Sequence, residues 1–179
     1  MLTYAAPQNL QEWKDIFRLY YRAFPKEERK PFWIIAKMHR RGDADVWYFR
    51  REGKFAGMII TINGDRHILL DYLAVAEKSR GTGIGTEILQ LMWRHYTGKG
   101  VFLEIESVYE RSKNQAERLS RKHFYEKAGM KSMEVFVWLF DVKMELMGFD
   151  CSLTYEEYRE FYRTNYNQRA ADHIRKAEK

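Results

Sequence analysis

Between Lys78 and Thr86 the chain reads KSRGTGIGT, with Gly81, Gly83 and Gly85 on alternate positions directly ahead of an apolar helical run. Glycines spaced in this way let successive backbone N–H groups turn into one concavity. The partial positive charge of the following helix N-terminus then favours an anion there. Further on, VFLEIESV (101–108) reads as a short buried strand. Its period of two places Phe102, Glu104 and Glu106 on one face and Val101, Leu103 and Ile105 on the other. Two carboxylates on one face of an apolar strand suit a face that meets solvent or substrate, where they accept protons or attract a cationic amine. Salt bridges to the many Arg and Lys residues nearby are the structural alternative.

The elements that must position these groups can be read from periodicity and punctuation. Asn9 with Glu12 three residues on opens a first helix carrying Trp13, Ile16, Phe17, Tyr20 and Phe24 at helical spacing, and Pro25 stops it. Pro31 suits the first turn of a second helix, which Gly42 ends. VWYFRRE (46–52) and KFAGMIITI (54–62) flank Gly53 as a hairpin, and Asn63-Gly64 predicts a second hairpin turn into RHILLDYLAV (66–75). After the glycine loop, Ile84, Ile88, Leu91, Met92 and Tyr96 predict a helix that ends near Gly98, so strand, loop, helix and strand 101–108 form a parallel crossover. A further helix spans Asn114 to Ala128, with Gly129 placed as its left-handed terminator. MEVFVWLFDV and KMELMGFD read as two closing strands. Thr154 with Glu157 then opens a helix whose Tyr155, Tyr158, Phe161 and Tyr162 share one face. The tail from about Asn165 is polar, and the pattern leaves it frayed or helical.

A chain of 179 residues with 45% apolar and 31% charged residues has the composition of one globular domain, neither disordered nor membrane-embedded. No apolar run is long enough to span a bilayer, and the start MLTYAAPQNL lacks the layout of a signal peptide. With a single cysteine, Cys151, these features point to the cytoplasm. Histidines 39, 67, 95, 123 and 173 show no metal-ligand spacing, so no metal is expected. The net charge of +6 is uneven: residues 18–41 carry eight Lys/Arg against two Glu, and residues 111–131 carry seven against two. Solvated helix faces and an anionic ligand both account for that excess. No zinc-finger or RNP motif is present, and nucleic acid is not the expected partner.

Three phosphate-binding patterns compete for the loop. A P-loop requires Gly-Lys-Ser/Thr, whereas Gly85 is followed by Thr86-Glu87. A dinucleotide fingerprint from Gly81 needs glycine at position 86, which is Thr, and the preceding strand closes a meander instead of opening a βαβ unit. The pattern [Q/R]-x-x-G-x-[G/A] is met by Arg80, Gly83 and Gly85. With the strand LDYLAV (70–75), the strand FLEIE (102–106) and the segment HFYEKAGM (123–130), the chain resembles the GNAT family of acyl-CoA-dependent N-acetyltransferases.

That resemblance covers about residues 1–150 in element order and is strongest over 66–130. It implies an α/β fold with a mixed, mostly antiparallel sheet of about seven strands and helices on both faces. The segment 151–179 lies outside the resemblance; the aromatic face of its helix predicts a C-terminal helical extension packed on the domain or on a partner subunit, so that a homodimer is an option. The resemblance implies that the amides of Arg80, Gly81, Thr82, Gly83, Ile84, Gly85 and Thr86 bind the pyrophosphate of acetyl-CoA, and that the backbone of Leu73, Ala74 and Val75 bonds the pantetheine arm. It also places Tyr125 as the acid for the departing thiolate and Glu104 as the base for the amine, with a water path as the alternative to Glu104. The acceptor is then a primary amine of a small molecule or a protein. A non-catalytic acyl-CoA-binding regulatory module is the alternative function. The connection from 107 to 114 and the long charged helix that follows it (RLSRKH) depart from the compact asparagine-led version of ribosomal-protein acetyltransferases, which speaks against a peptide N-terminus as substrate.

Overall fold

Helix α1 (Leu10–Ala23) starts where the sequence places it: the Asn9 side chain accepts from the Glu12 amide and donates to Glu12 Oε1, and extended Phe24 ends the helix ahead of Pro25. The computed structural model describes residues 1–179. Around α1, in chain order, lie β1 (Leu2–Ala5), α2 (Phe32–Arg41), β2 (Ala44–Arg51), β3 (Lys54–Asn63), β4 (His67–Val75), α3 (Ile84–His95) and β5 (Gly100–Glu106). The remainder comprises α4 (Gln115–Lys127), β6 (Lys131–Leu139), β7 (Val142–Phe149), α5 (Tyr155–Asn165), α6 (Gln168–Asp172) and β8 (Ile174–Ala177). The strands are hydrogen-bonded in the order β1-β2-β3-β4-β5-β7-β6-β8. The β4–β5 pair is parallel, while β1–β2, β2–β3, β5–β7, β6–β7 and β6–β8 are antiparallel.

The strand count is thus eight, not about seven. The two strands the sequence conceals, β1 and β8, are four residues each, too short for alternation to show. β8 also lies in the tail that reads as frayed or helical, and it exists because Ile174 to Ala177 pair with Leu139 to Phe136 of β6. Long-range pairing selects that conformation, and local propensity does not.

The chain forms two compact units. The first comprises Met1–Asn63 and Leu70–Arg94. Ile16, Leu19 and Tyr20 of α1 and Ile35 of α2 pack against Val46, Tyr48, Met58, Ile60, Tyr72 and Ala74, which are alternate residues of β2, β3 and β4. Helix α3 covers the other face of β3, and Gly57 permits the approach: a Cβ there would stand 2.7 Å from the Ala74 carbonyl oxygen and 3.1 Å from Ile88 Cδ1. The β2–β3 turn puts Glu52 and Gly53 at φ +53° and +74°, the two left-handed residues a tight hairpin requires.

The second unit comprises Gly64–Leu69 and His95–Lys179. Helices cover both faces of its strands. Lys122 of α4 reaches Glu145 of β7, while Phe161 and Tyr158 of α5 stand edge-on to Phe102 at centroid distances of 5.0 and 6.1 Å. The Asn63-Gly64 hairpin turn is not formed. Asn63 ends β3, neither residue has positive φ, and the chain reverses through Gly64–Arg66 with the Gly64 amide donating to His67 O. Gly64 is glycine for a packing reason, since a Cβ would lie 2.6 Å from the Phe161 ring. The β6–β7 turn takes the left-handed pair instead at Phe140 and Asp141, with no glycine to announce it. Helix α5 carries a complete capping box between Thr154 and Glu157. Thr154→Ala should therefore cost about 1 kcal/mol in urea unfolding, and an unchanged midpoint would show that packing alone holds the helix.

Candidate functional site

In the first unit β4 leads into a single 3-10 turn (Glu77–Ser79) and then the glycine loop. Gly81 and Gly83 are both left-handed, at φ +73° and +81°, with Thr82 between them, and α3 begins at Ile84. A Cβ at either glycine would meet nothing within 4 Å, so their bareness serves backbone conformation and open space, not packing. The Gly83 carbonyl takes the Thr86 and Glu87 amides, which starts the helix and leaves the preceding amides at its N-terminal end. Thr82 Oγ1 donates to Ser79 O and Arg80 Nε to Val75 O, tying the loop to the end of β4. Alternating left-handed residues ahead of a helix form an anion-binding concavity. Beside it opens a groove of about 330 Å³ lined by Arg18, Arg22, Phe55, Ala76 and Arg80, with Asp15 and Glu77. Leu73, Ala74 and Val75 lie on β4 beyond its parallel ladder with β5, which runs from His67↔Gly100 to Leu69↔Phe102.

The two carboxylates of β5 in the second unit have different surroundings. Glu106 pairs with Arg118 of α4 at 2.7 Å and with Arg121 at 3.7 Å, and accepts from Asn114 Nδ2 at 3.3 Å. For this residue the salt-bridge alternative holds. Glu104 instead receives two phenols: Tyr158 Oη and Tyr162 Oη of α5 each donate to its Oε1 at 2.7 Å. Tyr158 is fully buried, and burial followed by the Glu104 charge pushes its phenol far above the ordinary range. Tyr125, near the end of α4, is half-buried beside Phe124 at a ring distance of 5.1 Å. Burial pushes its phenol up to about 12, against a small opposing effect of Arg121. A phenol so raised stays protonated at neutral pH, the state a proton donor needs.

The matching family model, described as the acetyltransferase (GNAT) family, covers residues 11–130. That span is more than half of the chain. The chain belongs to the GNAT acetyltransferase family. Among solved structures it is similar to a protein described as a GNAT-family acetyltransferase from Bacteroides thetaiotaomicron, with TM-score 0.74 and 19% identity over 94% of this chain and 98% of that one. It is also similar to the ribosomal-protein-S18-alanine N-acetyltransferase of Escherichia coli, at TM-score 0.62 and 17% identity over 86% and 96%. A third is the spermidine N-acetyltransferase of Vibrio cholerae in complex with CoA and spermine, at TM-score 0.58 and 13% identity over 83% and 94%. No curated protein matches the sequence.

In this GNAT protein the glycine loop and the end of β4 stand together in the first unit, whereas Glu104 and Tyr125 belong to the second. Asp71 of β4 is held by Lys30 Nζ at 2.7 and 2.8 Å, so it fastens the α1–α2 connection to β4. Part of the basic excess is likewise accounted for internally: Lys30, Arg118, Arg121 and Lys122 all face carboxylates of the strands. Sequence reasoning missed Gly57, whose role depends on α3, and the bonds of Tyr158 and Tyr162 to Glu104. The i, i+4 spacing of those tyrosines was visible, but nothing in it names a carboxylate far away in the chain. No group of His, Cys, Asp or Glu is placed to hold a metal ion, and no helix is long and apolar enough to cross a membrane.

Proposed function

We propose that the protein transfers the acetyl group of acetyl-CoA to a primary amine by direct attack, with no covalent enzyme intermediate. The observation that carries this reading is the loop itself, with left-handed Gly81 and Gly83 opening α3 and Arg80 beside them. The amides from Arg80 to Thr86 take the pyrophosphate of acetyl-CoA, and the backbone of Leu73, Ala74 and Val75 bonds the pantetheine arm. The amine nitrogen attacks the thioester carbonyl, the C–S bond breaks, Tyr125 protonates the departing sulfur and Glu104 receives the amine proton. Glu104 suits a base because its rotamer is fixed, and Tyr125 suits an acid because its phenol stays protonated. Residues 1–150 form the acetyltransferase domain in this reading and 151–179 an extension of it, in a cytoplasmic protein. The acceptor is a small or protein amine, and the relatives' printed substrates, a ribosomal-protein alanine and spermidine, span that range.

Acetyl-CoA at about a hundredfold its Kd should add about 2.7 kcal/mol of stability, measured as a rise in Tm. Gly83→Val should abolish that rise, because a β-branched residue cannot hold the loop's left-handed backbone. No shift with CoA, acetyl-CoA or longer acyl-CoAs would overturn the proposal. A screen of amines that follows release of free CoA thiol then identifies the acceptor. Stabilisation without turnover on any amine would favour the acyl-CoA-binding regulatory module.

A further inference from the structure

We propose that Tyr158 and Tyr162 are positioning residues for Glu104: the C-terminal helix places two phenol donors on one carboxylate oxygen and so fixes the rotamer of Glu104 and holds it ionised. This deepens the reading of Glu104 as the base and rests on it. Both phenols end 2.7 Å from Oε1, from positions one helical turn apart on α5. Tyr158 and Tyr162 are both buried, and their rings stand edge-on to each other at 5.1 Å, so neither swings freely. Three devices hold that helix in register: the capping box at Thr154, the Phe161 ring against Phe102 and Gly64, and the Tyr155 hydroxyl bonded to Ile174 O. The 29 residues after Asp150 thus reach a residue in the middle of β5.

Two O–H donors on a carboxylate stabilise its charged form and lower its proton affinity. From α5, these two phenols donate to that oxygen. Opposite Glu104 on β7 stands apolar Leu146. On α5 the next titratable neighbour is Tyr166, with its ring 5.0 Å from that of Tyr162. Of the other carboxylates, Glu106 faces Arg118, and Glu145 faces Lys122.

The test uses the full chain with Tyr158→Phe and Tyr162→Phe, singly and together, since Phe keeps each ring and removes only the donor. Carbon-13 NMR of the glutamate side chains, with Glu104 assigned through Glu104→Gln, gives the titration midpoint of that carboxyl without any substrate. The midpoint should rise by about one pH unit in the double variant, with part of the rise in each single variant. The acidic limb of kcat/KM for the amine that the acceptor screen returns should move up in step, because the base must be ionised to work. A midpoint that stays put in a folded double variant overturns the proposal. If the double variant does not fold, the two single variants decide in the same way. A midpoint that rises while the acidic limb stays fixed overturns Glu104 as the base and leaves the binding of acetyl-CoA untouched.

Discussion

Tyr125→Phe is expected to lower kcat by about a hundredfold or more, while the rise in Tm with acetyl-CoA stays as in the parent protein. The ring remains in its half-buried place beside Phe124, so packing is nearly conserved and only the donor is lost. A positioned acid contributes about 10²–10⁴ in rate, because negative charge on the leaving sulfur is otherwise left to solvent. In the proposed reading binding draws on the glycine loop, and Tyr125 is on α4, so the two measurements separate the roles. If single-turnover kinetics show chemistry to be rate-limiting and Tyr125→Phe keeps full kcat, Tyr125 is a packing residue and some other group, or water, protonates the thiolate.

The largest loss of stability is expected from Lys122→Met. Glu145 is fully buried, and both of its oxygens accept from Lys122 Nζ, at 2.7 and 2.8 Å. Burial by itself would lower the lysine's proton affinity, but the hydrogen bond and charge of Glu145 outweigh it and raise the net value. Removing the ammonium leaves a buried carboxylate uncompensated, which costs about 3–5 kcal/mol. Lys122→Met combined with Glu145→Leu should recover most of that loss, because the penalty belongs to the stranded charge and not to the missing bond. Urea unfolding of both variants decides the matter. If Lys122→Met alone costs under 1 kcal/mol, water reaches Glu145 and the pair is effectively a surface one.

Local signals settled much of this protein in advance. The capping pairs at Asn9 and Thr154, the left-handed Gly42 and Gly129, and the crossover from β4 through α3 to β5 depend on neighbours a few residues away, so the chain states them directly. The glycine loop was legible for the same reason, since two left-handed positions ahead of a helix are a demand of the local backbone. The features the sequence could not state are those in which a residue serves a distant partner. Gly64 looks like a turn residue yet makes room for Phe161, and Phe140-Asp141 make a tight turn with no residue that advertises one. β8 is a strand only because β6 offers it an edge. Glu104 and Glu106 are two residues apart on the same strand face and chemically alike in the sequence. Tertiary structure gave one of them an arginine pair and the other two phenols, because a charge on a sheet is defined by whichever helix is laid over it.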